Sequence, residues 1–197
     1  HEDAFRRDFT TNALYYDPSN DEIIDFVDGI KDIKQKRLRF IGNTRTRLAE
    51  DPVRMLRAMR FSAKLGFAID PEILRYAKES ANSLEAVSPA RLFDEFIKLF
   101  LNGYAEIVWR QLRETPLANA LFPCCDPNSP LVLAAMRNTD ERILGGASVT
   151  PGFLVAVLLW DDFCARSHDQ ATLEDDPAFA TLKHQQSHIA VPRRFGT

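Results

Sequence analysis

The sequence predicts an α+β fold that is mostly α: a small N-terminal β portion followed by a helical array. Two observations predict it. Strand-forming residues gather between Thr10 and Ile41, whereas from Pro52 onward apolar residues recur at helical spacing between caps and stops. Gly42-Asn43-Thr44 marks the change. A chain of 197 residues with 45% hydrophobic content is long enough to enclose a packed core.

Ala13-Leu14-Tyr15-Tyr16 and Ile23-Ile24-Asp25-Phe26-Val27 read as two strands, and Asp17-Pro18-Ser19-Asn20 supplies the turn chemistry of a hairpin between them. A turn at Asp28-Gly29 and a short strand at Leu38-Arg39-Phe40-Ile41 follow. Glu50 and Asp51 suit the positive end of a helix dipole, and Pro52 is tolerated in a first helical turn, so a helix is expected from Asp51 to Leu65. At about 100° per residue, Met55, Leu56, Met59 and Ala63 share one face while Arg57, Arg60 and Lys64 lie opposite. One side packs and the other is cationic. Further helices are expected over 71–80, over 91–101 after a Ser88-Pro89 start, over 104–114, and at about 131–137, 153–166 and 177–189. No strong internal repeat is visible.

The composition sets bounds on the function. The longest apolar run, Phe153 to Trp160, is far shorter than the roughly 20 residues of a membrane span and closes at Asp161-Asp162, so a buried helix is expected there. The N-terminus has no basic, apolar, small-residue signal, and a cytoplasmic protein without a membrane partner is the expectation. Three cysteines, two of them adjacent, fit neither a disulfide framework nor a zinc knuckle and read as reduced thiols. His1 in place of a starting Met, and an end at Thr197 without a closing element, read as a piece of a longer chain. The formal charge is −3, but residues 31–64 hold eleven Lys or Arg against Asp32, Glu50 and Asp51. Such local excess suits phosphate groups.

Two constellations can support chemistry. In Arg6-Arg7-Asp8-Phe9-Thr10-Thr11-Asn12, a guanidinium offers a rigid fork of donors to a phosphate or ribose, and the carboxylate can fix that fork or accept from a sugar hydroxyl. A structural Arg–Asp pair at a strand entrance explains the same residues. In Glu50-Asp51-Pro52-Val53-Arg54-Met55-Leu56-Arg57-Ala58-Met59-Arg60-Phe61, an Asp acceptor and an Arg donor fixed at a helix start can present a hydrogen-bond edge to a nucleobase, with Arg57 and Arg60 reaching phosphates. A surface salt-bridge ladder at helical spacing is the alternative.

These two strings and the segment Asp25-Phe26-Val27-Asp28-Gly29-Ile30-Lys31-Asp32-Ile33 between them resemble the class II tRNA nucleotidyltransferase and poly(A) polymerase family. Ser88-Pro89-Ala90-Arg91-Leu92-Phe93-Asp94-Glu95-Phe96 is similar to the family's next helical motif. The wording of Arg37 to Asn43, of Leu121-Phe122-Pro123 and of Ile189 to Phe195 is similar to the bacterial poly(A) polymerase branch. The resemblance implies that 1–48 is the C-terminal part of a nucleotidyltransferase head, 49–122 a helical neck, and 123–197 part of a helical body that holds RNA. It implies transfer of AMP from ATP to an RNA 3′-hydroxyl, with CCA addition to tRNA as the alternative activity and a non-catalytic RNA-binding module as the alternative of another class. Arg7 and Asp8 would contact sugar and phosphates, Asp51 and Arg54 would read the base, and Arg57 and Arg60 would complete the pocket. Glu50, Arg91 and Glu95 would support it. The family's Asp-x-Asp pair, which binds two Mg²⁺ ions, belongs upstream of the Arg-Arg-Asp string, so this chain alone is expected to be inactive, with no catalytic or metal-binding residue assigned within it.

Other candidates read as ordinary surface. Asp161-Asp162 and Asp175-Asp176 are adjacent, which in a helix turns the side chains about 100° apart, and solvated charge accounts for them. His184 and His188 have helical spacing but no third ligand, and Lys183, Arg193 and Arg194 suit RNA backbone or plain surface equally.

Overall fold

The hairpin and the helices are organised around one long helix. The computed structural model describes residues 2–169. A short helix α1 (Glu2–Arg6) leads through a single 3-10 turn at Thr10–Asn12 into strands β1 (Leu14–Asp17) and β2 (Glu22–Asp25). They pair antiparallel in the register Leu14↔Asp25 to Asp17↔Glu22. Asp17 sets their turn by accepting from the Ser19 amide at 2.9 Å and from the Asn20 side chain at 2.9 Å.

The expected turn at Asp28-Gly29 is instead the start of helix α2 (Gly29–Lys34). The Asp25 carboxylate caps that helix, accepting from the amides of Val27, Gly29 and Ile30 at 2.9 to 3.0 Å. Burial opposes the Asp25 charge, yet the N–H donors of Ile30, Val27 and Gly29 prevail and hold the carboxyl below its ordinary range. Position 29 must be glycine for a steric reason: a Cβ there would lie 2.3 Å from the Thr10 carbonyl oxygen. Strand β3 is only Arg37–Leu38, and Phe40 makes a separate antiparallel bridge with Phe9.

The expected helix 51–65 is present as α4 (Val53–Leu65), and a separate helix that the sequence did not announce precedes it. Asn43 caps α3 (Thr44–Glu50) through the Thr46 amide, 2.9 Å, so the Gly42-Asn43-Thr44 break is a helix start. Asp51 is extended, with φ −149°, and the chain re-enters at α4 (Val53–Leu65). Pro52 explains the interruption, because it disfavours the helical conformation in the residue before it. Met55, Leu56, Met59 and Ala63 are buried as expected, together with Val53 and Ala58. Gly66, at φ 66°, ends the helix in the left-handed conformation and turns the chain into β4 (Ala68–Ile69), parallel to β3. This strand breaks the expected uninterrupted run of helices; it is too short to announce itself in the sequence.

Helix α5 (Pro71–Ser80), capped by Asp70 at 2.9 Å from the Glu72 amide, runs into a 3-10 segment at Ala81–Ala86. Helices α6 (Pro89–Phe100), α7 (Ala105–Arg113) and α8 (Leu117–Leu121) follow. The last two described are α9 (Pro130–Leu144), longer than expected, and α10 (Pro151–Asp169). One continuous core runs from Phe9 and Phe40 through α4, α6 and α7 to Leu154, Val157 and Leu158 of α10. Trp109 lies at its centre, fully buried against Phe100 and Phe122, with Nε1 donating to the Pro127 carbonyl at 3.2 Å.

The Phe153 to Trp160 run is buried on one side only. Leu154, Val157 and Leu158 pack, whereas Phe153, Val155, Leu159 and Trp160 are exposed, because α10 packs along α9 and the described residues cover just one face of it. No described helix is long and apolar enough to cross a membrane. Asp161 and Asp162 are half-buried on that helix, and Asp162 pairs with Arg166 at 2.9 Å. The 177–189 segment, with His184 and His188, and also Asp175-Asp176, Arg193 and Arg194, lie outside the described residues.

Helices α7 and α9 are joined by charge as well as packing. Asp140 accepts from the Ala105 and Glu106 amides at 2.6 and 2.9 Å, and Glu106 pairs with Arg110 at 2.7 Å and Arg137 at 2.9 Å. The Arg137 and Arg110 guanidiniums lower the Glu106 pKa to about 2. A depressed carboxyl stabilises the fold above its unfolded value and loses that contribution as pH falls through the folded value. The window is therefore pH 4.5 down to about 2. Solvent screening limits the contribution to roughly 1 kcal/mol. Urea midpoints of the wild type and Glu106→Gln should differ at pH 6 and converge near pH 2; a constant offset would show that charge is not responsible.

Candidate functional site

The densest polar network joins the N-terminal string to the start of α4. Thr10 N donates to the Arg39 carbonyl at 3.1 Å and Ile41 N to the Asp8 carbonyl at 3.1 Å, which fixes the backbone around Asp8 beside residues 39–41. The Thr10 hydroxyl and Arg39 Nε both donate to Asp32, at 2.6 and 2.9 Å, so buried Asp32 ties α2 to both segments. The Asp8 carboxylate then reaches α4. Its Oδ1 accepts from Arg54 Nε at 2.9 Å and its Oδ2 from Arg57 Nη1 at 2.7 Å.

Arg54 also donates to Glu50 at 2.9 Å, the pairing expected from helical spacing, and to the Arg47 carbonyl at 2.6 Å. Asp51 does not pair with Arg54. Its Oδ1 accepts from the Val53 amide at 3.2 Å at the start of α4, and its Oδ2 from Arg91 Nη2 at 2.6 Å, joining α4 to α6. Arg91 and Glu95, four residues apart, thus serve different partners. Glu95 is almost wholly buried and faces Arg57 at 3.6 Å, Arg60 at 3.8 Å and Lys98 at 3.1 Å. Arg60 Nε and Glu95 Oε2 are both enclosed and neither has a hydrogen-bond partner. The Arg60 guanidinium also lies 4.5 Å from the Phe61 ring centre.

The cationic face of α4 is therefore packed with carboxylates. Burial opposes the charge of Arg57, but the Asp8 hydrogen bond, with the nearby Asp8, Glu95 and Asp51 charges, outweighs it and raises the pKa. Arg7 stands apart: its guanidinium pairs with Asp3 at 3.1 Å, and Asp3 also accepts from the Tyr15 hydroxyl at 2.6 Å. Arg47 bridges the two halves. It donates to the Arg7 carbonyl at 2.9 Å and lies 3.7 Å from Asp8. Among the described residues no three His, Cys, Asp or Glu side chains converge to hold a metal ion.

Residues 1–39 match the poly(A) polymerase head domain, and residues 66–128 match the "Probable RNA and SrmB- binding site of polymerase A". Poly(A) polymerase I of Escherichia coli O157:H7 is 43% identical across the whole of this chain, which covers 46% of that protein. The chain belongs to the poly(A) polymerase and CCA-adding nucleotidyltransferase family. It spans less than half the length of that Poly(A) polymerase I relative. The CCA-adding enzyme of Lactococcus lactis is 47% identical over 51% of the chain and 25% of its own length. Among solved structures, the Thermotoga maritima CCA-adding enzyme complexed with tRNA is similar with a TM-score of 0.64 and 28% identity, covering 80% of this chain and 40% of its own. Residues of the two matched stretches, Asp8 and Glu95, thus meet at Arg57 of α4.

Proposed function

We propose that this chain forms the base-reading neck and part of the RNA-holding body of a template-independent nucleotidyltransferase that adds AMP from ATP to RNA 3′ ends. The observation that supports this most is the rigid presentation of Asp51 and Arg54 at the start of α4, tied through Asp8 to the head segment. A carboxylate acceptor beside a guanidinium donor matches the amino group and ring nitrogen along one edge of adenine. Arg91 is the half-exposed partner of Asp51, so an incoming base competes with an ion pair that water already screens. Arg57 and Arg60 lie one and two turns along the same helix, suited to phosphates and to closing the pocket. Glu50 holds the Arg54 guanidinium in place, and Glu95 those of Arg57 and Arg60.

In this reading residues 1–48 are the C-terminal part of the head, 49–122 the neck and 123–197 part of the body, in a cytoplasmic enzyme that uses Mg²⁺ and serves RNA polyadenylation. Arg7 would approach the sugar and phosphates by exchanging its exposed Asp3 partner for them. Adenylate addition is favoured over CCA addition by coverage: the Escherichia coli Poly(A) polymerase I match runs the full chain, and the Lactococcus lactis CCA-adding match about half of it.

Equilibrium titration with ATP and UTP tests the base-reading assignment, because uracil reverses the donor and acceptor that the Asp51–Arg54 edge matches. ATP should bind more tightly than UTP, and Arg54→Ala should weaken ATP about 10- to 100-fold, the range for hydrogen bonds to a charged group. Equal binding of the two nucleotides would remove the assignment. Incorporation of CTP by the complete enzyme would favour CCA addition.

A further inference from the structure

Helix α3 is only seven residues long, and the chain leaves it at the extended Asp51. Its last carbonyls are among those that a helix end leaves short of intrahelical partners. The Asp51 amide reaches the Arg47 carbonyl only at 3.4 Å, and the Arg54 guanidinium completes it, with Nη1 donating at 2.6 Å. The backbone of one residue thus holds both members of the base-reading pair.

The side chain of the same residue holds the N-terminal string. Arg47 Nη2 donates to the Arg7 carbonyl at 2.9 Å and to the Arg6 carbonyl at 3.5 Å, while Nη1 donates to Glu50 at 3.5 Å. Asp8 lies 3.7 Å away, so the shortest bond of this cation goes to a neutral peptide rather than to a carboxylate. The side chain is only 17% exposed, and its Nε is enclosed without a hydrogen-bond partner. An enclosed guanidinium with one N–H unsatisfied destabilises the fold, and stability alone would favour an apolar side chain there. What an apolar side chain lacks is the planar fork, whose two arms keep a fixed angle between Glu50 and the Arg7 peptide.

The Arg7 carbonyl belongs to the rigid peptide unit that enters Asp8, so gripping it fixes the backbone of both residues. The Asp8 carboxylate ties the same segments through side chains that can rotate; the Arg47 bond removes that freedom. A nucleotide carries base and sugar at one spacing, and the residues assigned to them lie on separate segments. We infer that Arg47 is a positioning residue that sets the spacing between Arg7-Asp8 and the Asp51–Arg54 edge, and so determines the preference for adenine without a nucleotide contact of its own. The inference rests on the base-reading assignment and adds to it the residue that holds it in register. Sites of this kind need their groups within about 0.5 Å of the productive geometry. Phosphates can follow a displaced arginine, whereas a base edge cannot.

Titration of this chain with ATP, UTP and inorganic tripolyphosphate tests it. Arg47→Lys keeps the charge but not the fork, and should lower the ATP over UTP preference about 3- to 10-fold while tripolyphosphate binds as before. Arg47→Met should lower the preference about 10-fold or more, with the loss confined to ATP. Arg45→Met removes a charge from the same helix, at an exposed 2.8 Å pair with Glu79, and should leave the preference intact. If Arg47→Met lowers the urea midpoint, the charge-keeping Arg47→Lys carries the comparison. An unchanged preference in both Arg47 variants, or equal losses of ATP and UTP, would overturn the inference. Weaker tripolyphosphate binding by Arg47→Lys would show that Arg47 touches phosphate itself and would remove the positioning role. Loss of the preference in Arg54→Ala with the preference kept in both Arg47 variants would leave base reading standing and sink this inference alone; equal binding of ATP and UTP by the wild type would sink both.

Discussion

Asp8→Asn should lower the stability of the chain by about 3 kcal/mol, the lower end of the cost of removing one partner from a buried ion pair. The Asp8 side chain is only 14% exposed and bonds both Arg54 and Arg57, themselves 14% and 30% exposed. An amide can still accept one hydrogen bond, but it leaves two enclosed guanidiniums without their shared countercharge. With urea slopes of roughly 1–3 kcal/mol/M, the midpoint should fall by about 1–3 M. Added salt should change the difference little, because enclosed pairs are screened far less than surface ones. A midpoint shift below about 0.3 M would mean that water already satisfies these groups. Triphosphate alone should then bind Asp8→Asn no more weakly than wild type, since the arginines have lost a competing anion, while preference for adenine declines with the loss of fixed geometry.

Trp109→Ala should cost about 3–5 kcal/mol, the range for deleting a buried aromatic side chain. Trp109 has no exposed surface and touches the rings of Phe100 and Phe122, so it links α6, α7 and the segment after α8. At roughly 2–4 °C per kcal/mol for a chain of this size, the thermal midpoint should drop by about 10 °C. Trp109→Phe separates packing from the indole hydrogen bond to Pro127: it should cost only about 1–2 kcal/mol. Similar losses in the two variants would assign the effect to the hydrogen bond.

The hairpin was legible in the sequence because its turn chemistry is local: Asp17, Ser19 and Asn20 make the contacts that their types suggest. Helix α4 was legible for the same reason, through its apolar spacing and the Gly66 stop. Helix α2 was not. Its cap is Asp25, whose three amide bonds depend on a left-handed Asp28, a conformation that residue type alone does not announce. The site residues Asp8, Arg54 and Arg57 were identifiable by motif, but their partnership was not, since it spans 46 to 49 positions. Helical spacing suggested Arg54 for Asp51, and the structure gives Asp51 to Arg91 across forty positions. The partners of Arg47 were not legible for a related reason: most of its bonds go to backbone carbonyls, which carry no sequence signature.

The long separation of Asp8 from its arginines also has a consequence during synthesis. Arg57 follows Asp8 by 49 positions, and ribosomes add roughly 5–20 residues per second. Asp8 therefore waits about 2–10 s for its second arginine while the chain is being made. Until then the segment around Asp8 has only contacts made within residues 1–53. The network that joins Asp8 to α4 can thus close only after the residues beyond the helix start at Val53 have been made.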